Sequence, residues 1–437
     1  MKRPFQPGHF LILSGERCQG CTHCMRVCPT EAIRIRRGKA EVISHRCIEC
    51  GKCIQACPRE AWGVRSISLK KVGSKGKAAA ILDPAVFWQF GGQTSPGRVV
   101  EAFLELGFIG AWDWGKGLRI YRAAVSDYLS SEDKQGPAIA SVCPAAVQLI
   151  QVKYPSLLEN LVPVIPPWEI AARLFREVEG KNSDLHLYYI TPCLARAAAT
   201  AEPLSSGRQY RYNGAIPLVD IYNPLKSILA RGSHRPVNAP SEEPAPSGMR
   251  WAAAGGESHA LGMGASLIVE GIDRVTRILE LAESGLLAEV PFIEAWACPA
   301  GCLGGSLTVQ DPFLARYHLM AFLEKKKEAG AQDEGGETAG VNRFRLVGPL
   351  NPRPGLRLDD DLKKAMNKLR RIDEIFNKLP GIDCGSCGCP TCLACAEDIV
   401  QGHAMEGDCC FASRGKNRNR SKTLEMEPKR KRAANSK

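Results

Sequence analysis

Cysteine spacing constrains this chain more than any other feature of its sequence. The chain has 19 cysteines among 437 residues, and eight of them form two copies of the pattern Cys-x2-Cys-x2-Cys-x3-Cys-Pro. The first copy begins at Cys18 and the second at Cys47, 29 residues later. Such a run brings four thiolates to one side of a tight loop, where three bind one cubane cluster and the fourth crosses to the neighbouring cluster.

The repeat therefore predicts two [4Fe–4S] clusters in the first part of the chain. One is assigned to Cys18, Cys21, Cys24 and Cys57, and the other to Cys47, Cys50, Cys53 and Cys28. Zinc is the alternative, although zinc sites usually take two Cys-x2-Cys pairs rather than a run of four. The segment resembles a bacterial two-cluster ferredoxin, a family that relays single electrons, and we assign it to residues 1–68. Residues 32–43, between the two copies, predict a short hairpin.

Length and composition narrow the class of protein further. A chain of 437 residues is long enough for several domains, and 44% hydrophobic with 24% charged residues is typical of a folded protein. No apolar run reaches the ~18–20 residues of a membrane span. We therefore expect a cytoplasmic protein, where clustered cysteines serve as metal ligands rather than disulfides.

The net charge of +12 is concentrated at the end of the chain. The last 25 residues hold ten Lys/Arg and two Glu, and so contribute +8. We interpret residues 413–437 as a basic disordered tail. Nucleic-acid binding is the alternative reading, but no aromatic residue follows Phe411 for base stacking.

Residues 78–350 alternate short apolar runs with helical patterns, which predicts an α/β region with a mainly parallel sheet. The strands are predicted at 78–82, 138–141, 185–191 and 292–297, and the helices at 97–106, 145–153, 169–179 and 273–284. Residues 70–77 read as a linker, and 235–248 and 329–340 as solvated insertions.

Four cysteines of this region are far apart in sequence: Cys143, Cys193, Cys298 and Cys302. Each taken alone fits a buried core residue. Their neighbourhoods, Ser-Val-Cys-Pro, Thr-Pro-Cys-Leu-Ala-Arg and Ala-Cys-Pro-Ala-Gly-Cys-Leu-Gly-Gly, resemble the three signature loops of iron-only ([FeFe]) hydrogenases. Gly301 and Gly304 crowd the last loop, as close backbone approach to an inorganic centre requires.

The resemblance implies a two-lobed domain with the active centre between the lobes. It implies that the four cysteines ligate a [4Fe–4S] subcluster, that Cys302 also bridges to a di-iron unit, and that the chemistry is reversible H2 formation. Four neighbouring positions depart from the family: Val142 replaces the proton-donating cysteine, and Thr191, Arg196 and Trp296 replace two methionines and a lysine. These departures resemble the sensory or regulatory branch of the family.

The last cysteine group has the spacing Cys-x2-Cys-x4-Cys-x16-Cys, formed by Cys384, Cys387, Cys392 and Cys409. Gly385 and Gly388 allow the backbone to approach the sulfurs. The group resembles the small [4Fe–4S] domain of Rnf-type electron-transfer proteins and of the corrinoid iron-sulfur protein, and we assign it to a small helical domain at 359–412. Zinc is again the alternative. Cys389, Cys395 and Cys410 are interpreted as spare thiols.

Three functions remain open at this stage. The first is an iron-sulfur protein that relays single electrons to or from a sensory or weakly active hydrogenase-like centre. The second is an active hydrogenase with another proton route, and the third is a pure [4Fe–4S] electron-transfer protein. The expected partner is a ferredoxin, a flavin- or NADH-linked subunit or a separate signalling protein, with H2 as a candidate ligand.

Overall fold

The computed structural model describes residues 10–67, 69, 72, 76–130, 136–179, 184–204, 211–231, 244–328, 340–346, 348 and 350–411. The chain divides into two units, Met1–Arg357 and Leu358–Lys437. The predicted tail at 413–437 lies outside the described residues, as do most of the linker and of the two insertions. No described helix is long and apolar enough to cross a membrane.

The beginning of the larger unit consists of short elements in two similar halves. They are β1 (Leu11–Leu13), α1 (His23–Arg26), β2 (Ile33–Arg36), β3 (Lys39–Val42), α2 (Lys52–Gln55) and β4 (Trp62–Val64). Strand β1 pairs with β4 and β2 with β3, all antiparallel, so the predicted hairpin is confirmed. The 29-residue repeat is also visible in the backbone. Thr22 and Gly51 are equivalent residues of the two copies, and both have a left-handed φ, of 68° and 75°.

The rest of the larger unit is an α/β arrangement with two parallel sheets. Its elements are β5 (Lys77–Leu82), α3 (Pro96–Glu105), β6 (Gly110–Trp112), α4 (Gly115–Leu129), β7 (Ala138–Ile139), α5 (Pro144–Lys153), α6 (Pro167–Glu179), β8 (Leu185–Thr191), α7 (Leu194–Ala199), β9 (Gly214–Pro217), α8 (Leu218–Ala230), α9 (Pro246–Arg250), α10 (Gly256–Ala260), β10 (Leu267–Glu270), α11 (Ile272–Glu283), β11 (Phe292–Trp296) and α12 (Pro312–Glu328). One sheet has the order β6-β5-β8-β9 and the other β10-β11-β7, with every pairing parallel. The predicted α/β class is confirmed.

The predicted strands match the observed ones closely, except that β7 is shorter than expected. It forms two ladder pairs with β11, and then the chain leaves the sheet, where the Ser141 hydroxyl donates to the Val164 carbonyl. Residues 78–82 of β5 are all buried, as a central parallel strand covered on both faces requires.

The sheet topology brings the cysteine loops together. Strands β7, β8 and β11 lead within a few residues into Cys143, Cys193 and Cys298. Strands β7 and β11 belong to one sheet, so the loops of Cys143 and Cys298 follow carboxyl ends at the same edge, whereas Cys193 follows β8 of the other sheet.

The smaller unit is built on two helices, α13 (Leu362–Phe376) and α14 (Cys392–Val400). Asp361 caps α13 by accepting from the Lys364 amide at 2.8 Å. Ile372 and Ile375 of α13 are buried against Ala396 of α14. A small helical domain is therefore present where the sequence predicts one.

Candidate metal centres

The eight cysteines of the repeat line two separate cavities. One cavity is lined by Cys18, Cys21, Cys24 and Cys57, together with Trp62 and Ile35. The other is lined by Cys28, Cys47, Cys50 and Cys53. The structure therefore brings together the two crossed sets that the sequence predicts, with the fourth cysteine of each run contributed to the other set.

Backbone amides point at several of these sulfurs. The amide of Ala32 donates to Cys28 Sγ at 3.2 Å, and the amide of Ala61, one repeat later, donates to Cys57 Sγ at 3.3 Å. The Ala40 amide, on strand β3, donates to Cys18 Sγ at 3.4 Å. Such donors stabilise negative charge on a cluster and raise its potential.

Burial makes these thiols difficult to ionise without a cation beside them. Burial raises the pKa of Cys24 to about 11 and that of Cys50 to about 12, and neighbouring thiolates add to both shifts. Buried thiolates this close together repel one another, so a positively charged metal is what allows them to ionise. The all-sulfur donor set fits soft metal ions and iron-sulfur clusters.

The four middle cysteines are brought together although they are far apart in sequence. Cys143 and Cys193 immediately precede α5 and α7, and Cys298 and Cys302 lie in the loop after β11. Burial and then the charges of Cys193, Cys143 and Cys50 raise the pKa of Cys298 well above its ordinary value. Cys302 likewise interacts with Cys193 and Cys143. The arrangement can hold a four-thiolate cluster.

A fully buried ion pair lies near this group. The sequence analysis named Arg196 of this pair but not its partner, Asp83. Arg196 Nη1 donates to Asp83 Oδ2 at 2.6 Å, and the two side chains are 1% and 0% exposed. The guanidinium also lies over the rings of Trp168 and Trp114, at 4.8 and 5.0 Å from their centroids. The sequence feature that could have identified Asp83 is its position as an acidic residue directly after the apolar run 78–82.

The same carboxylate organises the second loop. Asp83 Oδ2 also accepts from the Tyr189 hydroxyl at 2.9 Å and from Thr191 Oγ1 at 3.3 Å. Thr191 Oγ1 in turn accepts from the Cys193 amide at 3.2 Å. Burial raises the pKa of Cys302, and the charges of Arg196 and Asp83 act on the same thiol with opposite signs.

The remaining departures from the hydrogenase pattern are buried in the same core. Val142 is 1% exposed and belongs to one hydrophobic cluster with Cys302 and Trp296. The Trp296 indole donates to Glu294 Oε1 at 2.7 Å. Glu294 also accepts from the backbone amides of Gly255, Glu257 and Ser258, so its charge is offset by several donors.

The glycines of the third loop serve backbone packing. A Cβ on Gly301 would lie 2.5 Å from the Ala254 nitrogen, and one on Gly304 would lie 2.1 Å from the Pro299 oxygen. Both glycines therefore allow close approach to neighbouring main chain, and their approach to an inorganic centre stays a prediction. Gly385 and Gly388 have left-handed φ values of 76° and 78°, and the Gly388 amide donates to the Gly385 carbonyl.

The repeat segment and the middle region meet at the Cys50–Gly51–Lys52 stretch. A Cβ on Gly51 would lie 2.2 Å from the Cβ of Ser306, in the third loop. Lys52 Nζ lies 2.6 Å from Asp273 Oδ2. Leu194, the residue after Cys193, packs with Cys53 and lines the second cavity. The second cluster site and the middle thiols are therefore neighbours.

The smaller unit has a cysteine-lined cavity of its own. Its lining includes the four predicted ligands Cys384, Cys387, Cys392 and Cys409. It also includes the three cysteines interpreted as spare, Cys389, Cys395 and Cys410. Two of these, Cys389 and Cys395, have their sulfurs within 4.8 Å of each other and of Cys387 Sγ, which the sequence interpretation did not foresee.

Three family models match separate segments of the chain. Residues 10–58 match a 4Fe-4S dicluster domain. Residues 76–220 match the iron only hydrogenase large subunit, C-terminal domain. Residues 379–411 match a family described as "Putative Fe-S cluster". The hydrogenase match includes Cys143 and Cys193 and ends before Cys298 and Cys302.

Solved [FeFe]-hydrogenases are among the similar structures. One concerns stepwise H-cluster assembly in HydA(deltaEFG), with 16% identity over 65% of this chain and 98% of that chain, at a TM-score of 0.48. Another is the apo enzyme HydA1 from Chlamydomonas reinhardtii, with 16% identity over 65% and 94% and a TM-score of 0.48. None of the curated proteins compared matches the chain.

Taken with the thiol clusters, the family matches define an iron-sulfur protein. More particularly, the match of residues 76–220 to the C-terminal domain of iron-only hydrogenase large subunits makes this a hydrogenase-like iron-sulfur protein.

Proposed function

We propose that the protein relays single electrons between its repeat segment and the middle thiol centre. The observation that carries this proposal is the proximity of Cys50, in the second predicted ligand set, to Cys298 of the middle set. A bound [4Fe–4S] cluster supplies a one-electron redox step. The second site lies between the other two, because Cys53 of the second set also interacts with Cys24 of the first set.

The proposed path runs through three sites of the larger unit. The first is held by Cys18, Cys21, Cys24 and Cys57, the second by Cys28, Cys47, Cys50 and Cys53, and the third by Cys143, Cys193, Cys298 and Cys302. Leu194 packs in one cluster with Cys53 of the second site, and Gly51 lies against Ser306 in the loop of the third. A fourth cluster is proposed for Cys384, Cys387, Cys392 and Cys409 of the smaller unit.

The residues around Cys302 do not fit a di-iron unit bearing CO and cyanide. Such a unit is anionic, and the charge of Asp83, which already acts on Cys302, would oppose further negative charge there. The Arg196 charge is already offset by Asp83 and covered by Trp114 and Trp168. Val142 has no proton to donate. We therefore propose a four-thiolate centre that turns over little or no H2.

This leaves a redox-reporting or electron-transfer role rather than bulk hydrogen production. A reporting role needs a partner protein that receives the signal, since the four-thiolate centre itself only gains or loses one electron. We propose a cytoplasmic redox protein, of the ferredoxin or flavin-linked class, or a separate signalling protein as the partner.

Anaerobic infrared spectroscopy beside an iron count tests this proposal. The full chain is produced together with the hydrogenase maturation proteins, and Cys302→Ala is the matched variant. We expect four cubanes, about sixteen iron atoms per chain, and no metal-bound CO or cyanide bands. Bands that disappear in Cys302→Ala would overturn the four-thiolate assignment.

A further inference from the structure

Three sulfurs of the smaller unit form a group that the predicted cluster motif does not use as a set. The Sγ atoms of Cys387, Cys389 and Cys395 all lie within 4.8 Å of one another. Cys389 and Cys395 are each 1% exposed, and Cys395 lies in the first turn of α14. Only Cys387 belongs to the predicted cluster ligands.

The three sulfurs are held by short, well-defined local structure. The side-chain oxygen of Thr391 accepts from the Ala394 amide at 3.1 Å, which fixes the start of the helix that carries Cys395. Cys389 Sγ lies 3.5 Å from Oδ2 of Asp398, which is 5% exposed and one turn further along α14. The donors are thus three sulfurs on a short stretch of chain, with a buried carboxylate beside one of them.

The spacing suits a single tetrahedral ion. With Zn–S bonds of about 2.3 Å, the sulfurs of a tetrahedral site are about 3.8 Å apart. The three sulfurs lie within 4.8 Å of one another, so each S–S distance needs to shorten by about 1 Å at most. Thiolates select soft cations, and zinc held by three protein ligands takes a water as the fourth.

We propose that Cys387, Cys389 and Cys395 form a binding site for one soft divalent cation of the Zn²⁺ class, with a water molecule as its fourth ligand. The site rests on the proposed function in one respect, because Cys387 is also assigned to the C-terminal [4Fe–4S] cluster. A thiolate committed to one metal is lost to the other, so the ion and the cluster exclude each other. The metal that is bound then decides whether the smaller unit carries an electron.

The test uses the full chain with its other clusters loaded, and Zn²⁺ alone as the probe. The starting variant is Cys384→Ala/Cys409→Ala, which removes two predicted cluster ligands and leaves the proposed zinc ligands. Adding Cys389→Ala and Cys395→Ala to it removes the zinc site, and adding Cys410→Ala instead gives a control outside the group. Zinc and iron are counted in each protein after gel filtration.

We expect one zinc per chain in the starting variant and in the Cys410→Ala control, and none in the variant that also lacks Cys389 and Cys395. Zinc-edge X-ray absorption should show three sulfur ligands and one lighter ligand. Equal zinc in all three proteins, or none in any, would overturn the proposal. The iron count reports separately on the proposed function, since about twelve iron atoms should remain in every variant.

Discussion

The eight cysteines of the repeat and the four of the middle region reach similar thiol clusters by opposite routes. Those of the repeat lie within 40 residues, and a short loop with left-handed residues at equivalent positions places each set. Those of the middle region come from loops after β7, β8 and β11 and meet only when the sheets have formed. The first centre is encoded locally, and the second depends on the whole α/β core.

This difference extends to the surroundings of the sulfurs. Cys21 of the repeat is exposed, whereas Cys302 is 7% exposed and interacts with the charges of a buried ion pair. An exposed site suits exchange of electrons with a partner, while an enclosed one suits an end point. In the proposed relay, the repeat would therefore be the outer end.

The largest expected effect is the loss of the middle cluster alone. Cys298→Ala should lower the iron content by about four atoms per chain, because it removes one of four ligands from a buried centre. The electron paramagnetic resonance signals of the two repeat clusters should remain. Simultaneous loss of the repeat signals would contradict the local encoding of those sites, and Cys410→Ala, at an exposed cysteine, is the control.

Next in size is the removal of the buried charge pair. Arg196→Met leaves Asp83 charged and unpaired, which should cost about 3–5 kcal/mol of stability. Asp83→Asn in addition should recover most of that loss. The measurement is anaerobic denaturant unfolding followed by tryptophan fluorescence. The surface pair gives the matched control, since Lys52→Met should cost less than about 1 kcal/mol; equal losses in the two single variants would contradict the buried assignment.

A smaller effect tests the contact between the repeat segment and the middle region separately from the folding of either one. Gly51→Ala forces a Cβ to within 2.2 Å of Ser306 Cβ at φ 75°, whereas Gly38→Ala, at φ 70°, meets nothing within 4 Å. Both should cost about 1 kcal/mol of backbone strain, and Gly51→Ala about 1–3 kcal/mol more.

Rapid-freeze paramagnetic resonance after mixing with a reduced ferredoxin gives the functional readout for this pair. Reduction of the middle cluster should be slower in Gly51→Ala and unchanged in Gly38→Ala. Equal rates in the two variants would remove Gly51 from the path between the sites.

The smallest predicted effect concerns pH. Burial first, and then the charge of Glu294, raise the pKa of Glu257 well above its ordinary value of 4.5. Above pH 4.5 the folded state therefore keeps a proton that the unfolded state releases, so this group makes stability fall as pH rises toward the folded pKa. Glu257→Gln should flatten the decline of the thermal midpoint from pH 5 upward, while Glu289→Gln, at an exposed site, should leave it unchanged.

Local features of this molecule were predictable from residue spacing, and the grouping of the four middle cysteines from the resemblance of their loops, whereas the long-range contacts of single side chains were not. The crossed ligand sets follow from spacing alone. Strand β8 was predicted from its apolar run, because a parallel strand that is covered on both faces is apolar along most of its length. Asp83 and Glu294 escaped notice because their partners, Arg196 and Ser258, lie 113 and 36 residues away. Cys389 and Cys395 were set aside because the motif explained four other cysteines first.

The spin–spin interaction between reduced clusters in the larger unit tests the relay most directly. The full chain, loaded and fully reduced, is compared with Cys53→Ala, which removes a ligand of the second repeat cluster. The proximity of Cys50 and Cys298 predicts that the middle-cluster signal is broadened and relaxes fast in the wild type, and that both effects disappear in Cys53→Ala. An identical middle-cluster signal in the two proteins would contradict a continuous electron path.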